Sequence, residues 1–270
     1  MKIQEWFEST DKLFERFKDI TLDYRDKQRR RIFIDRGGKV LLVAHIDTVQ
    51  YPCIYGYKGK DTLLPDWIYA AGLDDRLGCW IAWNLAEELG TDLLLTDLEE
   101  SMSSTALFHT CKDYNWIAEF DREGEDVVTY GMDTPKFLQA LNDVTFKLGQ
   151  GTISDICDLY TAACCVNIGI GISDSHALYS KADLRIVDRQ IARFKAFFAK
   201  YKDVQFTQED TSLLGDFDMD YLNDPDNLFL DQNPNMDWCD ICGQAGLIVY
   251  GHTICEDCFK RLLYAELDCN

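Results

Sequence analysis

The sequence predicts an α/β fold: three α/β/α layers around a central mixed, mostly parallel sheet, followed by a small separate module. Three observations predict it. Strand-like and helix-like segments alternate from the N-terminus to about residue 203. The strand-like runs, such as "KVLLVAH" (39–45), "DLLLTD" (92–97) and "CCVNIGIG" (164–171), are short and continuously apolar, as in strands covered on both faces. From residue 236 the alternation gives way to paired cysteines.

In order, "MKIQEWFESTDKLFERFKDI" places Ile3, Trp6, Phe7, Leu13, Phe14 and Phe17 at helical spacing and predicts an amphipathic helix. It has no continuous apolar core, so it does not read as a signal peptide. "KVLLVAH" and "WIYAAG" (67–72) predict strands, and "RLGCWIAWNLAEEL" (76–89) a helix with one apolar stripe. "DLLLTD" predicts a strand, followed by a short helix over 101–110. "NWIAEFD" (115–121) and "DVVTYG" (126–131) predict strands. "TPKFLQALND" (134–143) predicts a helix capped by Thr134 with Pro135 at its first position. "VTFKLG" (144–149) and "CCVNIGIG" are further strands, and "RIVDRQIARFKAFFAKY" (185–201) closes the unit as an amphipathic helix.

The expected domains are therefore residues 1–203, an acidic linker over 204–235 rich in Asp and Asn, and a module over 236–270. The acids of the linker do not follow the spacing of an EF-hand calcium loop. The chain of 270 residues is 47% hydrophobic and 13% aromatic, enough for a packed core, and carries a net charge of −20. A surface this acidic repels phosphate, which disfavours nucleic acid and anionic membrane as main partners. No stretch approaches the ~20 apolar residues of a membrane-spanning helix. Of the 11 cysteines, those outside the C-terminal module sit mostly among apolar residues; without an export signal they read as reduced thiols of a cytoplasmic protein.

Function is written at the strand ends. "LLLTDLEES" puts Asp97, Glu99 and Glu100 directly after an apolar run, where like charges raise each other's pKa unless something positive sits among them. Other strand-like runs end comparably: "VLLVAHIDTV" delivers His45 and Asp47, "IYAAGLDDRLG" Asp74 and Asp75, "WIAEFDREG" Asp121, and "NIGIGISDSH" His176. Taken singly, each has a plainer reading: a strand-end hydrogen bond, a helix cap at Asp75, a dipole-complementing Glu pair, a turn Asp, a satisfied His. Taken together they differ, because open α/β sheets gather their ligands outside the carboxyl ends of the strands. Imidazoles and carboxylates converging there make an oxygen and nitrogen ligand set suited to Zn²⁺, or to Mn²⁺ or Co²⁺.

Their order resembles the co-catalytic dizinc metallopeptidase clan of aminopeptidases and carboxypeptidases. The matching stretches are H-x-D in "AHIDTV", G-x-D-D in "GLDDRLG", Glu-Glu in "TDLEES", the Asp of "EFDREG" and the late His of "NIGIGISDSH". "GTISDICDLY" also resembles the Gly-x-x-Ser-Asp segment that precedes the last ligand in part of the clan. The resemblance spans roughly residues 39–200. It implies two metal ions about 3.5–4 Å apart. Asp74 would bridge them, His45 and Asp121 would complete one site, and Glu100 and His176 the other. Glu99 would be the general base toward a metal-bridging water, and Asp47 would hold the His45 imidazole. Relatives often carry a cis peptide within G-x-D-D, which makes Asp74–Asp75 the candidate. The sequence departs from the clan in two places. "EESMSS" lacks the Gly common after Glu-Glu, and no room exists between Asp121 and Gly151 for an inserted lid domain. His109, in "LFHTC", reads as structural.

The C-terminal "CDICGQAGLIVYGHTICEDCFKRLL" pairs Cys239 with Cys242 and Cys255 with Cys258, a tetrathiolate pattern for one structural Zn²⁺. It looks like a zinc ribbon, with a tight hairpin in "AGLIVYGHTI" and a helix from Asp257. Such a module folds through its metal. Its expected role is docking a protein partner, capping the site or self-association; with few basic residues it does not read as a nucleic-acid binder. The functional expectation is a metal-dependent hydrolase of a peptide or N-acyl amino acid bond. The alternatives are a non-peptide deacylase or amidase, and a non-catalytic peptidase-like adaptor acting through its zinc ribbon.

Overall fold

The computed structural model describes residues 1–58 and 67–208, together with the backbone of Leu247–Val249 and His252–Ile254. Contacts divide the chain into two units, Met1–Thr211 and Ser212–Asn270. In the first unit the strands are β1 (Thr21–Leu22), β2 (Arg31–Ile34), β3 (Val40–His45), β4 (Cys53–Lys58), β5 (Trp67–Ala71), β6 (Asp92–Thr96), β7 (Trp116–Glu123), β8 (Asp126–Val128), β9 (Lys147–Leu148), β10 (Cys165–Ser173) and β11 (Lys181–Asp183). The α-helices are α1 (Thr10–Arg16), α2 (Leu73–Leu89), α3 (Pro135–Asp143) and α4 (Leu184–Tyr201). The strands form one mixed sheet in the order β1-β2-β6-β3-β7-β10-β11-β5-β4, with β8 paired to β10 and β9 to β8. The α/β fold and mixed sheet are as the sequence predicts. The parallel pairing is concentrated in the centre, β6-β3-β7-β10, while β2, β11, β5 and β4 join antiparallel on its flanks.

The two faces are covered unequally. Along β3, Val40, Leu42 and Ala44 face a large core filled by Leu77, Ile81 and Leu85 of α2, Phe137 and Leu141 of α3, and Val187, Phe194 and Phe197 of α4. The alternate residues Leu41 and Val43 face a smaller core with Leu94, Ile117 and Cys165. That second face is closed by 3₁₀ turns, Thr105–Phe108 and Asp155–Asp158, through Ala106 and Ile156. His45 follows Leu41 and Val43 in the strand's alternation, so it emerges on this thinly covered face.

Several local expectations change in the fold. The N-terminal helix is interrupted: a 3₁₀ turn at Ile3–Trp6, then α1, then a 3₁₀ turn at Lys18–Ile20. Its apolar face is still buried through Trp6, Leu13 and Phe14. The helix expected over 101–110 is reduced to the 3₁₀ turn Thr105–Phe108. Hydroxyls there compete for the backbone: Ser104 Oγ accepts from Ala106 N at 3.0 Å and Thr105 Oγ1 from Asp97 N at 2.9 Å. Residues 204–208, expected as the start of the linker, are packed: Phe206 is buried, its N–H donates to Asn115 O at 2.8 Å, and its carbonyl accepts from Cys164 N at 2.8 Å.

In the second unit, β12 (Leu247–Val249) pairs antiparallel with β13 (His252–Ile254), as expected of a hairpin between the cysteine pairs. Cys239, Cys242, Cys255 and Cys258 lie outside the described residues, as does the rest of the linker. Among the described residues, no helix is long and apolar enough to cross a membrane.

Candidate metal centre

The four central parallel strands carry their polar residues to one edge. β3 pairs with β7 so that Val43 is level with Glu119, which puts His45 on the rung of Asp121. β3 pairs with β6 so that His45 is level with Thr96, and the chain then turns into the 3₁₀ turn Glu99–Ser101. Beyond β10, His176 follows in a turn closed by Ala177 N donating to Asp174 O at 2.9 Å. Asp74 arrives differently, at the start of α2. The Asp74–Asp75 peptide is cis, and both residues depart from helical φ/ψ, so regular helix begins after them. Asp75 caps it: Oδ1 accepts from Gly78 N at 2.8 Å, and Oδ2 faces His45 N at 3.4 Å.

These segments bring together the side chains expected from the sequence. His45 Nε2 lies 3.1 Å from Asp74 Oδ1 and 3.1 Å from Asp121 Oδ1. His176 Nε2 lies 3.4 Å from Asp74 Oδ2 and 3.1 Å from Glu100 Oε2. Asp74 therefore turns one carboxylate oxygen toward each imidazole. Glu99 Oε2 stands 3.8 Å from His45 Nε2. Asp47 does more than hold His45. Its backbone carbonyl lies 3.1 Å from His45 Nδ1 and its Oδ1 3.4 Å, while the carboxylate accepts the N–H groups of Glu99 at 3.2 Å and Glu100 at 3.0 Å. Asp75 is also close to His45 and Asp121. Its oxygens face backbone N–H groups, however, Oδ1 that of Gly78 and Oδ2 that of His45.

The electrostatics call for cations. Burial pushes the Asp121 carboxyl well above its usual range, helped by the Asp74 charge. Burial, with the nearby Asp74 carboxylate, lifts Glu100 to about 7; Glu99 is raised for the same reasons. Burial alone would lower the His45 imidazole, but the carboxylates of Asp121, Asp47 and Asp74 reverse this and hold it well above the ordinary value. For Asp74 burial is again outweighed, here by the two imidazoles, and its carboxyl falls below the usual range. The buried Glu100 Oε1 has no hydrogen-bond partner. The donor set fits divalent metal. In a tetrahedral zinc site with bonds of about 2.0–2.1 Å, neighbouring ligand atoms stand roughly 3.3–3.4 Å apart, close to the 3.1–3.4 Å spacings here. Among the described residues, the ligand atoms of His45, Asp74 and Glu100, and those of His45, Asp75 and Asp121, each lie within 4.8 Å of one another, so candidate metal ligands gather around His45.

Behind the candidate metal ligands lies a buried polar layer on the same face, which strand patterning does not announce. Asp121 N donates to Asn167 Oδ1 at 3.2 Å, and Asn167 Nδ2 donates to Ser154 Oγ at 3.1 Å. Ser154 Oγ in turn donates to Glu119. Burial, with Asp155 and Asp121 nearby, pushes the Glu119 carboxyl well above its usual range. Asp155 accepts hydrogen bonds from Thr96 and Ser104, and burial raises it to about 7 against those donors. The available signals were a charged residue inside the apolar "WIAEF" and the Ser-Asp of "GTISD". Asp97, the first acid of the 97–100 cluster, belongs elsewhere: its Oδ2 is 2.6 Å from Arg30 Nε in a buried ion pair. His109 is buried beside Phe33, ring centroids 4.5 Å apart, and stays structural.

No protein-family model matches the sequence, and no curated protein matches it. Solved structures do. A tripeptidase from Staphylococcus aureus is 9% identical, with 74% of this chain and 96% of that chain covered and a TM-score of 0.50. The aminopeptidase PepT from Bacillus cereus is 10% identical, with 72% and 96% covered and a TM-score of 0.47. An aminopeptidase from the archaeon Desulfurococcus kamchatkensis is 12% identical, with 70% and 87% covered and a TM-score of 0.45. At such identities the likeness to the tripeptidase is one of fold: this chain builds its site on the α/β scaffold that the tripeptidase also has.

Proposed function

We propose that this chain is a metal-dependent hydrolase that cleaves a peptide or N-acyl amide bond. The observation that carries this reading is Asp74: its two oxygens face the imidazoles of His45 and His176, each of which also meets its own carboxylate, Asp121 or Glu100. The donors divide into two sets sharing one residue, the requirement for a pair of divalent ions about 3.5–4 Å apart. Zinc suits the imidazole and carboxylate ligands, with cobalt or manganese able to take the same places. Bound metals would supply Lewis acidity toward the scissile carbonyl and acidify the attacking water.

The chain's own residues supply the rest. Glu99 is the general base: it takes the proton from the attacking water and returns it to the leaving amine. Burial and the Asp74 charge raise its carboxyl, which favours proton uptake. Asp47 fixes Glu99 and Glu100 through their backbone N–H groups and orients the His45 ring. A deacylase of non-peptide amides would use the same parts. At the C-terminus, Cys239, Cys242, Cys255 and Cys258 are proposed to hold one structural zinc; the hairpin of β12 and β13, lying between the two cysteine pairs, supports that reading.

The test is metal analysis of the intact protein together with a screen of aminoacyl and N-acyl substrates in zinc, cobalt and manganese. Three metals per chain and metal-dependent amide hydrolysis are expected. A single zinc with no hydrolysis in any metal would overturn the enzyme in favour of an adaptor.

A further inference from the structure

We propose that Asp155 is a positioning residue that clamps both ends of the loop carrying Glu99 and Glu100; its effect on metal rests on the dimetal reading above. Asp155 is fully buried at the start of the 3₁₀ turn Asp155–Asp158. Its Oδ2 accepts from the hydroxyl of Thr96, the last residue of β6, and its Oδ1 from the hydroxyl of Ser104. Residues 97–103 lie between, so one carboxylate holds the point where the loop leaves the sheet and the point where it returns. The Ser104 hydroxyl is itself oriented, since Oγ also accepts from Ala106 N at 3.0 Å.

The loop needs such a hold. Leu98 and Met102 both adopt left-handed backbone, φ 65° and 56°. Each costs a non-glycine residue about 1–3 kcal/mol and persists only where the surroundings determine it. Inside the loop, Met102 N donates to Glu99 O at 2.7 Å and Ser103 N to Leu98 O at 3.0 Å; its base is closed by Thr105 N donating to Asp97 O at 2.9 Å. Those bonds shape the loop, whereas the Asp155 carboxylate ties it to a different segment, some fifty residues along the chain. The preceding residue, Ser154, reaches the other half of the site through Asn167 and the Asp121 N–H. The Ser154–Asp155 pair thus sets the Glu99–Glu100 loop against the strand that bears Asp121.

The experiment uses the full chain with Asp155→Ala, Asp155→Asn and Ser104→Ala. Amide hydrogen exchange of residues 98–103 is expected to quicken at least tenfold in Asp155→Ala and Ser104→Ala, with the amides of α2 and α4 unchanged. Calorimetric titration with zinc is expected to show the weaker of the two catalytic-site equivalents, assigned to Glu100 and His176, losing about 10- to 100-fold in affinity, as for outer ligand supports generally. Asp155→Asn, keeping one acceptor oxygen, should recover most of both effects. Loop exchange equal to the wild type, or quickened equally throughout the sheet, would overturn the clamp. If Asp155→Ala does not fold, Ser104→Ala and Thr96→Val each remove one arm and give the same readout. A wild-type protein that takes up no catalytic-site zinc would sink the dimetal reading instead, and loop exchange would still decide the clamp.

Discussion

The Asp47 carboxylate accepts the backbone N–H of Glu100 at 3.0 Å, and that of Glu99 at 3.2 Å. A residue just beyond β3 thereby fixes the two carboxylates that follow β6. The same residue meets His45 Nδ1 through its carbonyl, so the imidazole's other nitrogen, Nε2, is aimed at Asp74 and Asp121. Asp47→Asn replaces one acceptor oxygen with a donor facing an N–H. Turnover should fall about 10- to 100-fold, with a stability cost of about 1–3 kcal/mol for the unpaired donor; steady-state kinetics and urea melts measure both.

Glu99→Gln keeps the shape of the proposed base and removes its proton affinity. Hydrolysis should fall by about 10²–10⁴-fold, while metal content stays at the wild-type value. Equal turnover in the two proteins would assign the base to another group.

His176 is the exposed member of the proposed ligand set, its side chain 61% accessible, whereas His45 is fully buried. His176→Ala should therefore cost the metal-free protein less stability than His45→Ala does, yet still cost one catalytic-site metal. His45→Ala should cost both stability and the metal shared with Asp121. Melting curves and metal analysis of the two variants separate these outcomes.

Gly78 is the point where α2 meets β7. A Cβ there would stand 1.7 Å from Phe120 O and 2.1 Å from Asp75 Oδ1. Gly78→Ala must push the helix off the strand or break the Asp75 cap. It is expected to destabilise by more than about 4 kcal/mol, in the range reserved for core disruption; the fraction of soluble folded protein is the measurement.

His109 gives the fold an acid-sensitive side. Burial, with the positive Arg31 nearby, depresses its pKa to about 4, against an ordinary value of about 6.5 in the unfolded chain. Between these values the unfolded state binds the extra proton, so stability is fully present above about pH 6.5 and falls as pH drops toward 4. At about 1.4 kcal/mol per pH unit across that interval, the loss should reach about 3 kcal/mol. His109→Phe, whose ring can occupy the same place against Phe33, should flatten that limb of the stability–pH curve. Urea melts at a series of pH values, compared as a difference between the two proteins, test this.

Much of the scaffold was legible because burial on a strand or helix leaves a local trace. Leu41 to Ala44 and Leu93 to Leu95 are continuous apolar runs since both their faces are covered. The convergence of His45, Asp74, Glu99, Glu100, Asp121 and His176 was legible from polar residues placed just beyond apolar strand-like runs, where open α/β sheets build their sites. The short strands β1 and β11 were not legible, because a strand of two or three residues has too few side chains to show a period. The pattern over 101–110 reads as a helix where the structure has only the 3₁₀ turn Thr105–Phe108, because the Thr105 hydroxyl takes its partner, Asp97 N, from outside the window that carries the pattern.

The sequence by itself determined which residues alternate into the core and which charged groups stand at strand ends, since these depend on periods of two and 3.6 along the chain. Only the tertiary structure decided that Asp97 pairs with Arg30 while its neighbours Glu99 and Glu100 face the imidazoles, and that Asp155 holds their loop. The reason is range: a hydrogen bond between residues fifty positions apart is set by how the strands are ordered and registered, and no local pattern encodes that.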